Sequence, residues 1–381
     1  MDVVYLDHNA TTPVDTEVRE VMLPFLGEEF GNPSSSHALG TRARAAVDRA
    51  REQVAQLLGC APEEIIFTGC GSEANNLALK GTADALAERG KHIITSVIEH
   101  PAIINPCRYL ERKGYHVTYL PVDSTGLVAP EAVRSAITDA TILISIMHAN
   151  NEVGTIQPVE EIGRIARERE IILHTDAAQS VGKIPTRVDD LGVDLLTVAG
   201  HKLYAPKGVG ALFVRRGVAL EPLIHGAAHE RGLRAGTENV AGIVGLGKAC
   251  EIAGGDLADV RDRLQGLRDR LHRSLEERVG AVRLNGHPER RLPNTLNVSF
   301  EGVDSDELLR ALPEIAASTG AACHAHSREP SAVLTAMGVP AELALGAVRF
   351  SLGRGNTIQE VERAVELIVA AVENARGRPA R

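Results

Sequence analysis

Between residues 65 and 214, short stretches made almost wholly of apolar residues alternate with longer amphipathic ones. Residues 65–68, 92–97, 115–120, 141–147, 171–174, 194–198 and 209–214 read as strands. Residues 73–89, the stretch after Pro101, 130–137 and 159–170 read as helices. A strand with one face in water alternates apolar and polar side chains, and these runs are continuously apolar. They are therefore buried on both faces, which requires helices on each side of the sheet. The pattern predicts an α/β fold with a mostly parallel sheet and helical crossovers.

After about residue 240 the pattern changes. Ala- and Gly-rich helices run to Arg278, followed by a strand at 295–300 and a helix from Asp304. Residues 315–317 and 348–351 read as short strands, and 358–375 as an amphipathic closing helix. This second cluster predicts a smaller α+β unit. The tail 376–381 reads as disordered.

A chain of 381 residues buries a sizeable core without staples. The net charge of -9 argues against non-specific nucleic-acid binding and against an anionic membrane surface. Aromatic residues are 3% and Trp is absent, which leaves little for stacking single-stranded bases. No run of 18 apolar residues occurs and the N-terminal residues carry no basic stretch, so the expectation is a cytoplasmic protein without a membrane span. The five cysteines, at 60, 70, 107, 250 and 323, form no C-x-x-C pair. A disulfide framework or zinc ribbon is not expected, and any thiol that matters is expected to act as a nucleophile.

Polar clusters follow several of the apolar runs. His174-Thr175-Asp176-Ala177-Ala178-Gln179 follows one, and Ala199-Gly200-His201-Lys202 another. In a parallel sheet the strand C-termini open on one crevice, where ligands bind. An Asp and a Lys brought together there suit pyridoxal phosphate: the lysine amine forms a Schiff base, and the carboxylate keeps the pyridine nitrogen protonated. Taken singly, Lys202 is as readily a surface lysine and Asp176 a cap. Thr68-Gly69-Cys70-Gly71-Ser72-Glu73 links a strand to a helix and offers N–H groups and a hydroxyl to a phosphate, though a plain helix cap has the same composition. Ile98-Glu99-His100-Pro101 and Asn150-Asn151-Glu152-Val153-Gly154-Thr155 complete the set. Together they would line the same crevice.

With these residues in hand, the chain resembles a cysteine desulfurase of the NifS/IscS type, within the class V aminotransferase family. The resemblance begins at Tyr5-Leu6-Asp7-His8-Asn9-Ala10-Thr11-Thr12-Pro13 and ends at Arg349-Phe350-Ser351-Leu352-Gly353-Arg354. It includes Gly31-Asn32-Pro33-Ser34-Ser35, Glu99-His100, the Asn150 to Thr155 stretch, and Gly200-His201-Lys202 with Pro206-Lys207-Gly208. Arg234-Ala235-Gly236-Thr237-Glu238-Asn239 belongs to it as well.

The resemblance implies a pyridoxal-phosphate fold of type I. Residues 1–13 would join the small domain, 14–255 would form the large cofactor-binding domain, and 256–375 the small domain carrying Cys323. Lys202 would hold the cofactor, Asp176 would pair with its pyridine nitrogen, and Asn151 and Gln179 would contact the ring, Gln179 at its phenolic oxygen. His100 would stack on the ring and shuttle protons. Gly71, Ser72 and His201 would bind the phosphate, and Thr237 would reach the phosphate of a partner subunit in a homodimer. Arg349 would clamp the substrate carboxylate with Asn32 beside it, and Cys323 would take sulfur from L-cysteine. The implied activity converts L-cysteine to L-alanine with a persulfide on Cys323, which passes to a sulfur-acceptor protein for iron–sulfur cluster or thio-cofactor assembly.

Three departures from the family pattern matter. Ala199 stands where a phosphate-binding Ser is usual, and Ser72 where Thr is common. His324 and His326 follow Cys323, where many relatives carry Ser or Thr. The Gly-Ala-Ala-Cys-His form also resembles the selenocysteine lyases, which keeps that substrate open. A Cys-His-x-His metal site is a third reading, but only three ligands are local and no metal is expected. A catalytically idle scaffold for sulfur-trafficking partners would need neither Lys202 nor Cys323.

Overall fold

Residues 3–319 and 329–377 are described by the computed structural model, and in it the apolar stretches become strands. Strand β1 is Val4–Tyr5. The central sheet is built from β2 (Ile65–Thr68), β3 (His92–Ser96), β4 (His116–Leu120), β5 (Thr141–Ser145), β6 (Ile172–Asp176), β7 (Leu195–Ala199) and β8 (Gly210–Val214). Their order is β2-β8-β7-β6-β5-β3-β4. The pairs β3/β4, β3/β5, β5/β6 and β6/β7 are parallel, while β8 runs antiparallel to both β2 and β7.

Continuous apolarity is explained by two apolar layers. Ile65 and Phe67 pack with Val54, Leu58 and Leu246 on one face, and Ile66 packs with Leu77, Ala78 and Leu212 on the other. Burying one such side chain contributes about 1.5–3 kcal/mol.

The helix expected over 73–89 starts earlier and ends sooner. It runs Gly71–Asn76, widens into a π turn over Leu77–Gly81, and closes as Thr82–Ala85. The sequence reading had nothing to say of the 21-residue helix Ala38–Leu58. Its buried positions, Gly40, Ala43, Val47, Ala50, Val54 and Leu58, are mostly small. They let it press on the helix Val240–Gly255, where a Cβ on Gly247 would lie 2.6 Å from Ala50 Cα.

A second sheet has the order β12-β10-β9, with β9 (Val282–Asn285), β10 (Thr295–Phe300) and β12 (Ala347–Ser351) antiparallel. Leu264 and Leu271 of the helix Leu257–Val279 and Val361, Val365 and Ile368 of the helix Ile358–Arg376 cover it. β1 pairs in parallel with β11 (Ile315–Ala316), Val4 opposite Ile315, and Asp7 forms a bridge with Ser351.

One boundary needs correction. Arg376, expected in a disordered tail, is the last residue of the closing helix and donates to the carbonyls of Val279, Gly280, Ala281 and Glu301. A guanidinium has enough donors to satisfy several such carbonyls at once. Residues 378–381 lie outside the described residues. Among the described residues, no helix is long and apolar enough to cross a membrane.

Candidate active site

β6 and β7 are parallel neighbours, so their C-terminal ends open at the same edge of the sheet. β6 ends at Asp176 and β7 at Ala199, and a single turn, Gly200–Lys202, follows β7. Asp176 is buried, and both its oxygens are oriented. Oδ2 accepts from Asn75 Nδ2 at 2.7 Å and Oδ1 from the Ala178 N–H at 2.9 Å.

Lys202 Nζ donates to the carbonyl of Asn9 and, at 2.7 Å, to that of Ala10. Burial, with the Arg349 charge adding, lowers its pKa to about 8, against the opposing pull of Asp7 and Asp176. A lysine held there is partly neutral near pH 7, which a nucleophilic amine requires. His201 accepts or donates at Nδ1 with Thr11 Oγ1 at 3.2 Å, and burial with the charges of Lys202 and Lys207 lowers its pKa to about 4. The ring is therefore neutral, with Nε2 left for another partner.

The turns after β3 and β5 reach the same edge. Glu99 is buried, with Oε1 accepting from Ser96 Oγ at 2.8 Å and from the Met147 N–H at 2.9 Å. Burial raises its pKa to about 8. Glu99 thus joins the ends of β3 and β5, and His100 follows it as the N-cap of the helix Pro101–Arg112. His100 Nδ1 accepts from the Ala102 N–H at 3.1 Å. Desolvation lowers its pKa, with Asp176 opposing and Lys202 adding. Asn150 shapes its own turn by accepting from the N–H groups of Glu152 and Val153. Asn151 contributes its carbonyl, which accepts from Arg349 Nη1 at 3.0 Å and Asn9 Nδ2 at 3.2 Å.

The Gly-rich turn closes against β7. A Cβ on Gly71 would lie 3.0 Å from Ala199 Cβ, so only glycine lets the turn approach the strand end this closely. The Ala199 methyl faces Gly71 there, where the family pattern has a hydroxyl. The Gly69 N–H is already taken by Glu73 Oε2 at 2.8 Å, and Glu73 Oε1 accepts from Arg234 Nε at 2.9 Å. Ser72 is exposed at the mouth of the turn.

Arg349, on β12, is 3% exposed. Its Nη2 donates to Asp7 Oδ1 at 2.6 Å, and its Nε has no partner among the described residues. An unpaired, buried guanidinium N–H suits an incoming carboxylate.

Asn32 and Thr237 belong to a different part of the surface. Both are exposed, and Asn32 Oδ1 only caps its own turn, accepting from the Ser34 N–H at 2.9 Å. The two stretches meet through Arg44, which donates to the Pro33 carbonyl at 3.2 Å and pairs with Glu238 at 3.8 Å. An open cleft of about 480 Å³ runs beside them, lined by Ser34, Arg44, Asp48, Arg51, Glu230 and Glu238 among others. Cys323, with His324 and His326, lies outside the described residues.

Four residues escaped the sequence reading. Asn75 holds Asp176, and Asp7 holds Arg349. Asn9 sits at the centre: its carbonyl accepts from Lys202 Nζ and from Gln179 Nε2, the latter at 3.0 Å. Lys183, 8% exposed, donates to Gln179 Oε1 at 2.9 Å and Asn9 Oδ1 at 3.2 Å. Burial pushes its pKa well below the usual lysine value, with Lys202 and Arg349 adding. The signal available in the sequence was the four-residue spacing from Gln179 to Lys183.

These residues fit pyridoxal phosphate. They offer one amine of lowered pKa, one pre-oriented carboxylate on the next strand, and a turn kept open by Gly71. The aminotransferase class-V family model matches residues 4–364. The chain is 51% identical to "Cysteine desulfurase IscS" of Dictyoglomus turgidum, over 98% of this chain and 95% of that one. It is similar to a solved NifS-like protein with a TM-score of 0.92 and 42% identity, covering 98% of this chain and all of the other. A structure titled "SspA in complex with cysteine" matches with a TM-score of 0.82 and 42% identity, over 91% and 98% of the two chains.

Proposed function

Because the chain belongs to the class V aminotransferase family, and within it to the pyridoxal-phosphate-dependent cysteine desulfurases of the NifS/IscS type, we propose that Lys202, Asp176, Arg349 and Cys323 convert L-cysteine to L-alanine and a protein-bound persulfide. The observation that carries this is the pairing of Asp176 and Lys202 at adjacent strand ends, with Lys202 held at about 8. When bound, pyridoxal phosphate supplies an aldehyde for amines and an electron-accepting ring that stabilises negative charge on the substrate.

The chain's own residues do the rest. Arg349 binds the substrate carboxylate through its unpaired Nε while Asp7 and the Asn151 carbonyl fix the guanidinium plane. With pyridoxal phosphate bound, Asp176 would hold a proton at the ring nitrogen. Lys202 Nζ would take the proton from the substrate α-carbon. His100 stands at the crevice to move a proton to or from the substrate. The Cys323 thiolate attacks the substrate sulfur: an S–S bond forms and the Cβ–S bond breaks. The proton lost by the substrate thiol then ends on Cβ and Lys202 returns the proton to Cα, so cysteine plus thiolate becomes alanine plus persulfide with no outside oxidant.

The same reading assigns the chain to a homodimer in which exposed Thr237 serves the partner's phosphate, and to a cytoplasmic setting. The persulfide then passes to an acceptor protein in iron–sulfur cluster or thio-cofactor assembly. It also places a division after residue 255 with residues 1–13 on the far side, supported by the apolar cluster that joins Val4 and Leu6 to residues 264–372 apart from the one spanning Val18 to Ala253.

Alanine release from L-cysteine and from L-selenocysteine tests the proposal. Cys323→Ala should keep its yellow colour yet release alanine from L-cysteine at least ~10³-fold more slowly, because the nucleophile is gone. Borohydride should fix the cofactor on Lys202. A variant that turns over L-cysteine at the wild-type rate rejects the persulfide chemistry, and wild-type activity confined to selenocysteine replaces the desulfurase with a lyase.

A further inference from the structure

Lys183 is a second lysine in the site, and the chemistry above does not use it. It is buried, and the groups it donates to are amide oxygens, Gln179 Oε1 at 2.9 Å and Asn9 Oδ1 at 3.2 Å. A lysine buried without a carboxylate contact is costly, so its retention calls for a reason.

The amides around it have only one workable orientation. Asn9 Nδ2 donates to the Asn151 carbonyl at 3.2 Å, and Asn9 Oδ1 also accepts from Asn294 Nδ2 at 3.1 Å. A carbonyl can only accept, so Asn9 must turn its oxygen toward Lys183. Gln179 is fixed in the same way. Its Nε2 meets the Asn9 carbonyl at 3.0 Å, and its Oε1 meets the lysine. A flipped Gln179 would set oxygen against the Asn9 carbonyl and its N–H groups against the lysine amine. Charged or neutral, the amine has at least two N–H groups for its two acceptors.

We infer that Lys183 is a positioning residue that locks the Gln179 side chain with Oε1 turned away, so that the second Nε2 hydrogen is the group Gln179 offers to the phenolic oxygen of the cofactor. The inference rests on the reading of Gln179 as a ring contact. It makes Gln179 a donor only, which favours negative charge on that oxygen. Without Lys183, Oε1 is left buried and unpaired, and the amide turns or retreats.

The test is a titration of the visible absorbance of the cofactor-loaded protein from about pH 6 to 10, for wild type and variants. A lost donor leaves the phenolate less stabilised after deprotonation. Lys183→Met and Gln179→Ala should each raise the absorbance midpoint by about one pH unit, the change for one weakened hydrogen bond to a charged oxygen. The double variant should move no further than Gln179→Ala alone, because Lys183 acts through Gln179. Lys183→Arg, a donor-only replacement, should keep the wild-type midpoint. A wild-type midpoint in Lys183→Met overturns the inference, as does an additive double variant, which would show Lys183 acting as a bare charge. Should Lys183→Met fail to fold, a shift in Lys183→Arg as large as that of Gln179→Ala overturns it just as well. A wild-type protein with no visible band would instead reject the cofactor reading and is recognised before any variant is made.

Discussion

Around Lys202, the polar atoms are held by residues from distant parts of the chain: Asn9 and Ala10 on the amine, Asn75 on Asp176, Asp7 on Arg349. Asn32 and Thr237 differ in every respect. They are exposed, and Asn32 is bonded within its own turn. The first region is held together by contacts within one chain; its groups are desolvated, and the pKa values of Lys202, His201 and Glu99 move accordingly. The second has no such contacts among the described residues for Asn32 or Thr237 beyond their own turns. On the proposed reading, chemistry and cofactor retention are separable, the one built into a fold and the other completed by the proposed partner subunit.

The sharpest way to break this contrast is Asp176→Asn. The Ala178 N–H still donates to the remaining side-chain oxygen, and Asn75, whose Oδ1 has no partner among the described residues, turns its amide to accept from the new Nδ2, so the fold and the cofactor colour should persist. Alanine release should fall about 10²–10³-fold, the scale for losing one preorganised electrostatic group. A loss under about threefold would show that Asp176 does not govern the ring.

The next effect is set by pH. Cofactor uptake by the apoprotein needs the neutral amine of Lys202, whose pKa is lowered to about 8. The rate should climb about tenfold per unit up to that value and then level off. A rate that goes on climbing toward pH ~10.4, the value of an ordinary lysine, would show an unperturbed amine. The smallest effect belongs to the exposed region. Thr237→Val should weaken cofactor retention about tenfold, the worth of one hydrogen bond to a charged group, and leave the melting temperature of the apoprotein unchanged. Dilution into monomer should reproduce the loss in the wild type, and a monomer with full cofactor occupancy would remove the partner from the site.

Asp176, Lys202, Glu99 and His100 were legible because each follows an apolar run, and a parallel sheet gathers strand ends. Lys183 and Asn9 were not, because their meaning lies in a crossing of segments about 170 residues apart, which no local pattern records. The helix Ala38–Leu58 escaped for another reason: its buried face is largely Ala and Gly, too weakly apolar to stand out among its arginines. An apolar run also carries no direction, so the antiparallel course of β8 was hidden as well.

The pairing of β1 with β11 has a consequence for how the protein is made. The stretch that supplies the Asn9 and Ala10 carbonyls to Lys202 is synthesised long before β11, and the strand beside it finds its partner only when residue 315 has emerged. Contacts so far apart in the chain form late, after local structure has paid the entropy of bringing them together. Thr12 on the His201 carbonyl and Asn9 on Gln179 tie this stretch to the large sheet without β11, and the β11 pairing then closes it from the other side. A chain halted on the ribosome before β11 would hold Asp176 and Lys202 on a finished seven-stranded sheet, with β1 still unpaired.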